Sequence, residues 1–256
     1  MPAPVIQSVL QFFRDWFERF VAVQGIDRAM AIAAQSYSAF LPLVIVYSAT
    51  LPRGENEDFA DVIVNRFELR GATADSVRQA FAPSGAVESS LTVLGVGLLL
   101  VSTLSFTRGL QRMYEGSFQL PTLGMRNTPR ALTWLLIIGA VLALRPVVTE
   151  PFNGWLLTAV TLAMSTLLWL VTPYLLLGRR VRPLRLLPSA LLAAIGMAGI
   201  GIWSVIYMPH ALASSAAQYG VIGIGFAMLT WFVAVAAMLV VTTTGGATMA
   251  DRWIRR

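Results

Sequence analysis

The sequence contains no cysteine and only one histidine, His210, and these scarcities exclude several kinds of site. Without cysteine there can be no disulfide, iron–sulfur cluster or thiolate zinc site. A single histidine excludes a metal site built from several histidines. The hydrolase motifs HExxH and GxSxG are also missing. We therefore expect a protein that is not an enzyme, with no catalytic residues, no metal and no cofactor.

Charged residues are scarce as well. They make up 12% of the 256 residues, whereas hydrophobic residues make up 56%. A soluble domain carries about 25% charged residues, so this surface would be too apolar for water unless lipid covered it. The composition predicts an integral membrane protein, and the length suits one membrane domain over residues 1–256.

Six apolar segments approach the length of about 20 residues that a helix needs to cross a bilayer core. The third is the weakest, because its apolar run stops at Leu144, before Arg145 and Pro146. It must continue past Arg145, break there or lie in a thinned membrane. We predict an all-α, polytopic membrane helix bundle with about six transmembrane helices, over residues 29–51, 91–107, 130–150, 155–177, 186–207 and 221–244.

Two further segments are predicted to be helical outside the membrane core. Residues 1–28 place apolar and polar side chains on opposite sides at helical spacing, as an amphipathic interfacial helix does. Residues 53–90 are rich in Asp and Glu and should form a small extracytoplasmic helical segment. One face of its first helix carries Phe59, Val62, Ile63 and Phe67. Two loops are predicted between spans, a basic one over 108–129 and an uncharged one over 208–219 that contains His210.

All 19 basic residues are arginine, and their distribution predicts the topology. Fourteen lie in the amino-terminal segment, the second and fourth loops and the tail, and five lie in the other loops. Positively charged loops of membrane proteins stay in the cytoplasm. This predicts a multi-pass protein of the bacterial cytoplasmic (inner) membrane with both termini in the cytoplasm. It also explains the basic charge without a nucleic-acid partner.

Polar groups at membrane depth are costly and tend to mark pathways or helix contacts. Arg145, beside Pro146 and followed by Glu150, would suit a cavity near a broken helix, as in transporters. It would equally suit an arginine that reaches the outer headgroups. Arg108 and Arg112 are one turn apart and could anchor the protein to headgroups or recognise an anionic substrate.

Other polar residues could hydrogen-bond between helices or line the same pathway. The candidate substrate-pathway residues are therefore Gln35, Tyr37, Ser105, Arg108, Arg112, Arg145 and Glu150. Glu115 could form an exposed pair with Arg112, which would contribute only about 0–1 kcal/mol. Glycines predict a close approach of the fifth and sixth spans; they are Gly196, Gly199, Gly201, Gly220, Gly223 and Gly225.

Three stretches of the chain resemble the YihY/BrkB family of bacterial inner-membrane proteins, and its shorter, YhjD-like members in particular. They are Asp27–Leu43 with its AAQSYSAFLPL core, Ser105–Tyr114 (SFTRGLQRMY) and Tyr219–Trp231. The chain departs from the family at residues 245–249, where GGATM replaces the usual Gly-Ala-Glu followed by Asn. No role of that acid can be carried over.

The resemblance implies a link to envelope lipids, since members have been connected with serum resistance and lipopolysaccharide export. The family label ribonuclease BN is a misattribution by this interpretation, because no acid or histidine cluster here could hold catalytic metals.

Two functions remain open at this point. The first is a transporter, exporter or flippase of an amphipathic envelope lipid or lipid precursor, with an anionic lipid or envelope glycolipid as partner. The second is a non-transporting membrane scaffold or regulator of envelope biogenesis, which would recruit partners through residues 53–90 or the amphipathic helix. The substrate, the energy source and the oligomeric state, including a homo-oligomer, do not follow from the sequence.

The topology can be tested by a reporter fused after Arg256. We expect a cytoplasmic reporter to be active there, because the positive-inside distribution keeps the tail in the cytoplasm. A fusion within residues 53–90 is the control and should report a periplasmic location. A periplasmic signal from the tail fusion would contradict the predicted topology.

Overall fold

The computed structural model describes residues 3–50, 59–67, 69–80 and 89–254, and these ranges contain helices and turns but no strand. The all-α prediction is confirmed. The helices are α1 (Ala3–Ala22), α2 (Gly25–Thr50), α3 (Phe59–Arg66), α4 (Ala72–Ala80), α5 (Ser89–Ser117), α6 (Thr128–Thr149), α7 (Gly154–Leu176) and α8 (Pro183–Ile254), with a 3₁₀-helix at Gly124–Asn127.

Within the described ranges, three helical stretches are long and apolar enough to cross a membrane. They are Val93–Ser117, Gly154–Leu176 and Pro183–Trp253. The third is not one straight helix, because Gly220 has non-helical backbone angles of φ 58° and ψ −138°. It therefore consists of a first arm over 183–219 and a second arm over 221–254. The count of six spans remains a prediction.

The third predicted span does not break at Arg145. Helix α6 is continuous over its 22 residues, from Thr128 to Thr149. At a rise of about 1.5 Å per residue it is about 33 Å long, which matches a bilayer core of about 30 Å. The Thr128 hydroxyl donates to the Met125 carbonyl at 2.7 Å, and Pro129 follows at the first helical positions, where its missing N–H is harmless.

Three predicted boundaries were wrong. Residues 208–219 are helical rather than a loop, because Gly220 alone reverses the chain with a positive φ that suits glycine. The predicted 108–129 loop starts later, since α5 continues to Ser117. The amino-terminal helix ends at Ala22 rather than residue 28, because Gln24 adopts φ 53° and α2 begins at Gly25.

The chain forms two compact units. Unit 1 comprises Met1–Ala29, Thr107–Ala198 and Ala237–Arg256, and unit 2 comprises Met30–Phe106 and Gly199–Ala236. In unit 2 the side chains of α3 and α4 share a buried cluster with both arms of α8, which includes Phe67, Val77, Met208 and Ile224. Ile63 and Phe67 lie in this cluster as the predicted apolar face requires, whereas the side chains of Phe59 and Val62 lie outside the described residues.

The two arms of α8 run antiparallel within each unit, and small residues allow their close approach. In unit 2 Gly223 lies against Ser215, and the Trp231 indole donates to the Ser204 hydroxyl at 2.7 Å. In unit 1 Gly196 faces Met238 and Thr242, and Gly246 lies directly on the backbone of Ser189. The close approach predicted from the glycines is confirmed for Gly196 and Gly223.

Gly246→Ala should destabilise the protein, because the added methyl group would collide with the Ser189 backbone rather than with a movable side chain. We expect a loss of about 1–3 kcal/mol in the free energy of unfolding, measured by denaturant titration in detergent micelles. The matched control is Gly199→Ala on the first arm of α8, where an added Cβ meets nothing within 4 Å. This change should be neutral or stabilising by up to about 1 kcal/mol. Equal stability of both variants would contradict the packing described for the arms.

Candidate functional site

Three of the predicted pathway residues lie in unit 2. Gln35 is half-buried, and its Oε1 is buried without a hydrogen-bond partner among the described residues. The Tyr37 ring meets Phe232 edge to face at 6.3 Å, and its hydroxyl lies 2.9 Å from where a Cβ on Gly225 would stand. Ser105 is exposed. Of the three, Gln35 has an acceptor that its surroundings leave unsatisfied.

The other four predicted pathway residues lie in unit 1, and within the described ranges no hydrogen bond or ion pair joins them to one another. Arg108 donates to the Thr128 hydroxyl at 3.3 Å. Arg112, Arg145 and Glu150 are exposed, and within the described ranges no ion pair joins Arg145 to Glu150. Arg145 lies near the end of α6, which suits an arginine that reaches toward headgroups as well as one beside a cavity.

A buried carboxylate, which the sequence predicted to be exposed, organises unit 1. Glu115 is 1% exposed, and its Oε1 accepts three hydrogen bonds. The donors are Gln111 Nε2 at 2.9 Å, the backbone N–H of Leu123 at 2.9 Å and Arg180 Nη2 at 3.3 Å. The predicted exposed pair with Arg112 is wrong, because Glu115 is buried and pairs with an arginine 65 residues away.

The same network satisfies polar groups of two loops. Arg180 also donates to the carbonyls of Pro121 at 2.8 Å and Leu177 at 2.9 Å. The buried Asn127 donates to the Leu176 carbonyl at 2.7 Å and accepts from Arg130 at 3.3 Å. Because buried backbone groups must find partners, these bonds hold the segments 118–127 and 177–182 in one arrangement.

The surroundings of Glu115 are cationic. Its Oε2 is buried without a hydrogen-bond partner among the described residues. The Arg28 guanidinium lies 3.6 Å from where a Cβ on Gly116 would stand. Burial lowers the pKa of Arg28, the nearby charge of Arg112 lowers it further, and the charge of Glu115 opposes both. Arg180 thus binds Oε1 of Glu115, and the charges of Arg28 and Arg112 act nearby, whereas Oε2 has no hydrogen bond to the described residues.

Helix α1 is held against the end of α8 by ion pairs. Asp251 accepts from Arg19 through a short contact and from Arg185 at 2.6 Å. Arg252 binds Asp15 Oδ2 at 2.7 Å and donates to the Ser8 carbonyl at 3.0 Å. These bonds leave one apolar stripe of α1 exposed, which includes Ile6, Val9, Leu10, Phe13, Phe17 and Val21.

Two cavities open beside this junction, and Arg252 lines both. The first has a volume of about 540 Å³ and is lined by Phe12, Leu187, Pro188, Leu191, Leu192, Met249, Arg252 and Trp253. The second has a volume of about 340 Å³ and is lined by Asp15, Glu18, Arg19, Ala22, Gln119, Thr248, Asp251 and Arg252. An apolar groove and a polar cavity therefore both border Arg252, and both lie in unit 1. None of the predicted pathway residues lines either of them.

The groove and the adjoining polar cavity suit the non-covalent binding of a ligand. Within the described ranges, no three histidine or carboxylate side chains are grouped as metal ligands. A groove of about 540 Å³ lies within the range of roughly 300–1,000 Å³ found for ligand sites, and its apolar walls with one charged group resemble such sites. The groove can bury a hydrocarbon chain while the adjoining cavity offers hydrogen bonds to a polar group.

Comparisons with known proteins agree with this membrane character. The chain is similar to a UPF0761 membrane protein of Azotobacter vinelandii, with 28% identity over 178 residues. The resemblance to the YihY/BrkB family is confirmed, since UPF0761 is that group. The matched region covers 67% of this chain but 40% of the relative. No protein-family model matches the chain, and no solved structure does. With its long apolar helices, the chain is a membrane protein.

Glu115→Ala should destabilise unit 1, because it leaves Arg180, Gln111 and the Leu123 N–H without their shared acceptor. Removing one partner of a buried ion pair costs about 3–5 kcal/mol. We expect a loss of this order in the free energy of unfolding, measured in detergent micelles. Glu150→Ala removes an exposed carboxylate and is the control, with an expected change below about 0.5 kcal/mol. If both variants unfold alike, Glu115 does not hold the loops.

Proposed function

We propose that this membrane protein moves an amphipathic envelope lipid, or a lipid precursor, across the bacterial inner membrane. The observation that carries the proposal is the apolar groove that meets a polar cavity at Arg252. An amphipathic molecule needs both environments at adjoining positions. The role is binding and translocation, and it includes no chemical step.

The groove supports the lipid part of the proposal. Its walls come from α1 through Phe12 and from both arms of α8 through Leu191 and Met249. Each buried CH₂ group of a chain contributes about 0.8 kcal/mol, so a chain segment of several carbons would bind usefully if it displaced water. Trp253 is exposed at the groove, and tryptophan is enriched where membrane proteins meet headgroups.

The proposed topology places this site at the cytoplasmic surface of the membrane. We propose six spans, formed by α2, α5, α6, α7 and the two arms of α8, with both termini in the cytoplasm. The arginine-rich segments 126–130, 179–185 and 252–256 would then share the cytoplasmic side. The exposed apolar stripe of α1 would rest in the headgroup region, as interfacial helices do.

Within unit 2, the proposal assigns one polar residue to the pathway. Gln35 is the best supported pathway residue, because its buried Oε1 has no partner among the described residues and could accept a bond from a passing polar group. Arg145 and Glu150 are exposed near the end of α6, where they could meet a headgroup as it leaves.

The scaffold alternative is less well supported. It relied on residues 53–90 as a surface for partners, but the described part of that segment buries Ile63, Phe67 and Val77 in the core of unit 2. These apolar faces are therefore not available to a partner. The exposed stripe of α1 is the feature that still favours a scaffold, since a partner helix could cover it.

Leu191→Trp should slow lipid movement, because the larger side chain would fill the groove that Leu191 lines. The assay is the protection of a fluorescent phospholipid from a membrane-impermeant quencher in proteoliposomes. We expect at least a tenfold lower rate than wild type. Leu184→Trp is the control, since Leu184 is exposed on the same arm and does not line the groove.

Two results would contradict the proposal. One is a wild-type rate no higher than that of protein-free vesicles. The other is a Leu191→Trp rate equal to wild type, with both variants present at wild-type abundance and thermal stability.

A further inference from the structure

We propose that the polar cavity selects a zwitterionic headgroup, one that carries a phosphate and a primary ammonium group. This inference rests on the proposed lipid function and names the substrate class that the site would take. It replaces the expectation of a purely anionic lipid.

The charges of the cavity wall give the first argument. Three carboxylates, Asp15, Glu18 and Asp251, and two guanidiniums, Arg19 and Arg252, line a space of about 340 Å³. A site for a purely anionic headgroup would present an excess of positive charge. Here an anion without a cationic group would meet three carboxylates at short range. Both signs in one small cavity are complementary to a ligand that carries both signs.

The arginine side has unused donors for a phosphate. Arg19 binds Asp251 through Nη2, whereas its buried Nη1 has no hydrogen-bond partner among the described residues. A buried donor without an acceptor is unfavourable. A phosphate oxygen is the kind of acceptor that arginine binds most strongly, so its arrival would relieve that cost after a small side-chain adjustment.

The carboxylates of Asp15 and Glu18 have oxygens that could accept hydrogen bonds from an ammonium group. Asp15 and Glu18 are one turn apart on α1, and both are exposed. Asp15 binds Arg252 through Oδ2 and Glu18 binds Arg14 through Oε1, so the other oxygen of each has no hydrogen bond to the described residues. A primary ammonium has three N–H donors and can bridge two carboxylates. A quaternary ammonium has no N–H donor and would gain only from charge.

The position of Arg252 indicates the order in which the acyl chain, the phosphate and the ammonium of a bound lipid would lie. Arg252 lines the polar cavity and the apolar groove, and the carboxylates of Asp15 and Glu18 lie on the polar side only. In a phospholipid the phosphate lies between the acyl chains and the ammonium group. A lipid with its chain against Leu191 and Met249 would therefore bring its phosphate to Arg252 and its ammonium to Asp15 and Glu18.

The test compares three phospholipid probes with the same acyl chains and different headgroups: phosphoethanolamine, phosphocholine and phosphoglycerol. Full-length protein is studied in proteoliposomes for movement and in nanodiscs for binding, with bound lipid counted by native mass spectrometry. We expect the phosphoethanolamine probe to be preferred about tenfold over each of the others in both assays.

A charge-removing variant sharpens the comparison. Glu18→Gln should reduce the preference for phosphoethanolamine over phosphoglycerol by at least threefold, because it removes one carboxylate that faces the ammonium. The control is Asp75→Asn, which removes an exposed carboxylate in unit 2 and should leave the preference unchanged. Leu191→Trp should weaken binding of all three probes alike, since it acts on the chain.

The outcomes separate this inference from the proposed transport. If the phosphoglycerol probe binds as well as the phosphoethanolamine probe or better, the cavity does not select a zwitterionic headgroup. If the phosphocholine probe binds equally well, the cavity does not select a primary ammonium. Both conclusions hold whether or not lipid moves. If phosphoethanolamine binds preferentially but no probe moves, the headgroup assignment stands and transport is wrong. If no probe binds above the level of bulk lipid, both are wrong.

Discussion

Unit 1 depends on the burial of one negative charge. Removing the carboxylate of Glu115 from water is costly, and it is tolerated because Arg180, an amide and a backbone N–H all point at the same oxygen. The bonds that Arg180 makes in return fix the carbonyls of Pro121 and Leu177. The loops that follow α5 and α7 are therefore held by a single ion pair and its neighbours. The loop after α7 leads into the first arm of α8, which supplies part of the groove wall through Leu187 and Leu191.

Close packing of small residues is the second constraint, and it differs in kind from the ion pair. Lipid offers no hydrophobic gain for bringing two apolar helices together, so the contact must come from shape and hydrogen bonds. In unit 1, Gly246 packs closely against Ser189, and Gly196 packs closely against Met238. In unit 2, the Trp231 indole donates a hydrogen bond to Ser204. Glycine in a helix lowers its stability in isolation, and here the close contact between the arms offsets that cost.

Local features of the fold could be predicted from the sequence, and long-range ones could not. Apolar length and helical periodicity predicted the helices, and the predicted start of the third span at residue 130 lies two residues from the start of α6 at Thr128. The 208–219 segment was misjudged because a loop and a helix both tolerate uncharged residues, and the reversal needs only Gly220. The candidate site followed the same pattern. Polarity at membrane depth identified Gln35 and Arg145, whereas Arg252 acquires its importance from Asp15, 237 residues away, which no local pattern reveals.

The ion pairs that hold α1 against the end of α8 form late in synthesis of the chain. Helix α1 leaves the ribosome first among the helices described, but Asp251 and Arg252, which hold it, are added 232 and 237 residues after their partners Arg19 and Asp15. At about 5–20 residues per second, this interval lasts roughly 10–50 s. During that time the aromatic face of α1, with Phe12 and Trp16, has no second arm of α8 to pack against. The membrane surface itself can shelter that face, so the bilayer acts as a temporary partner until the last helix arrives.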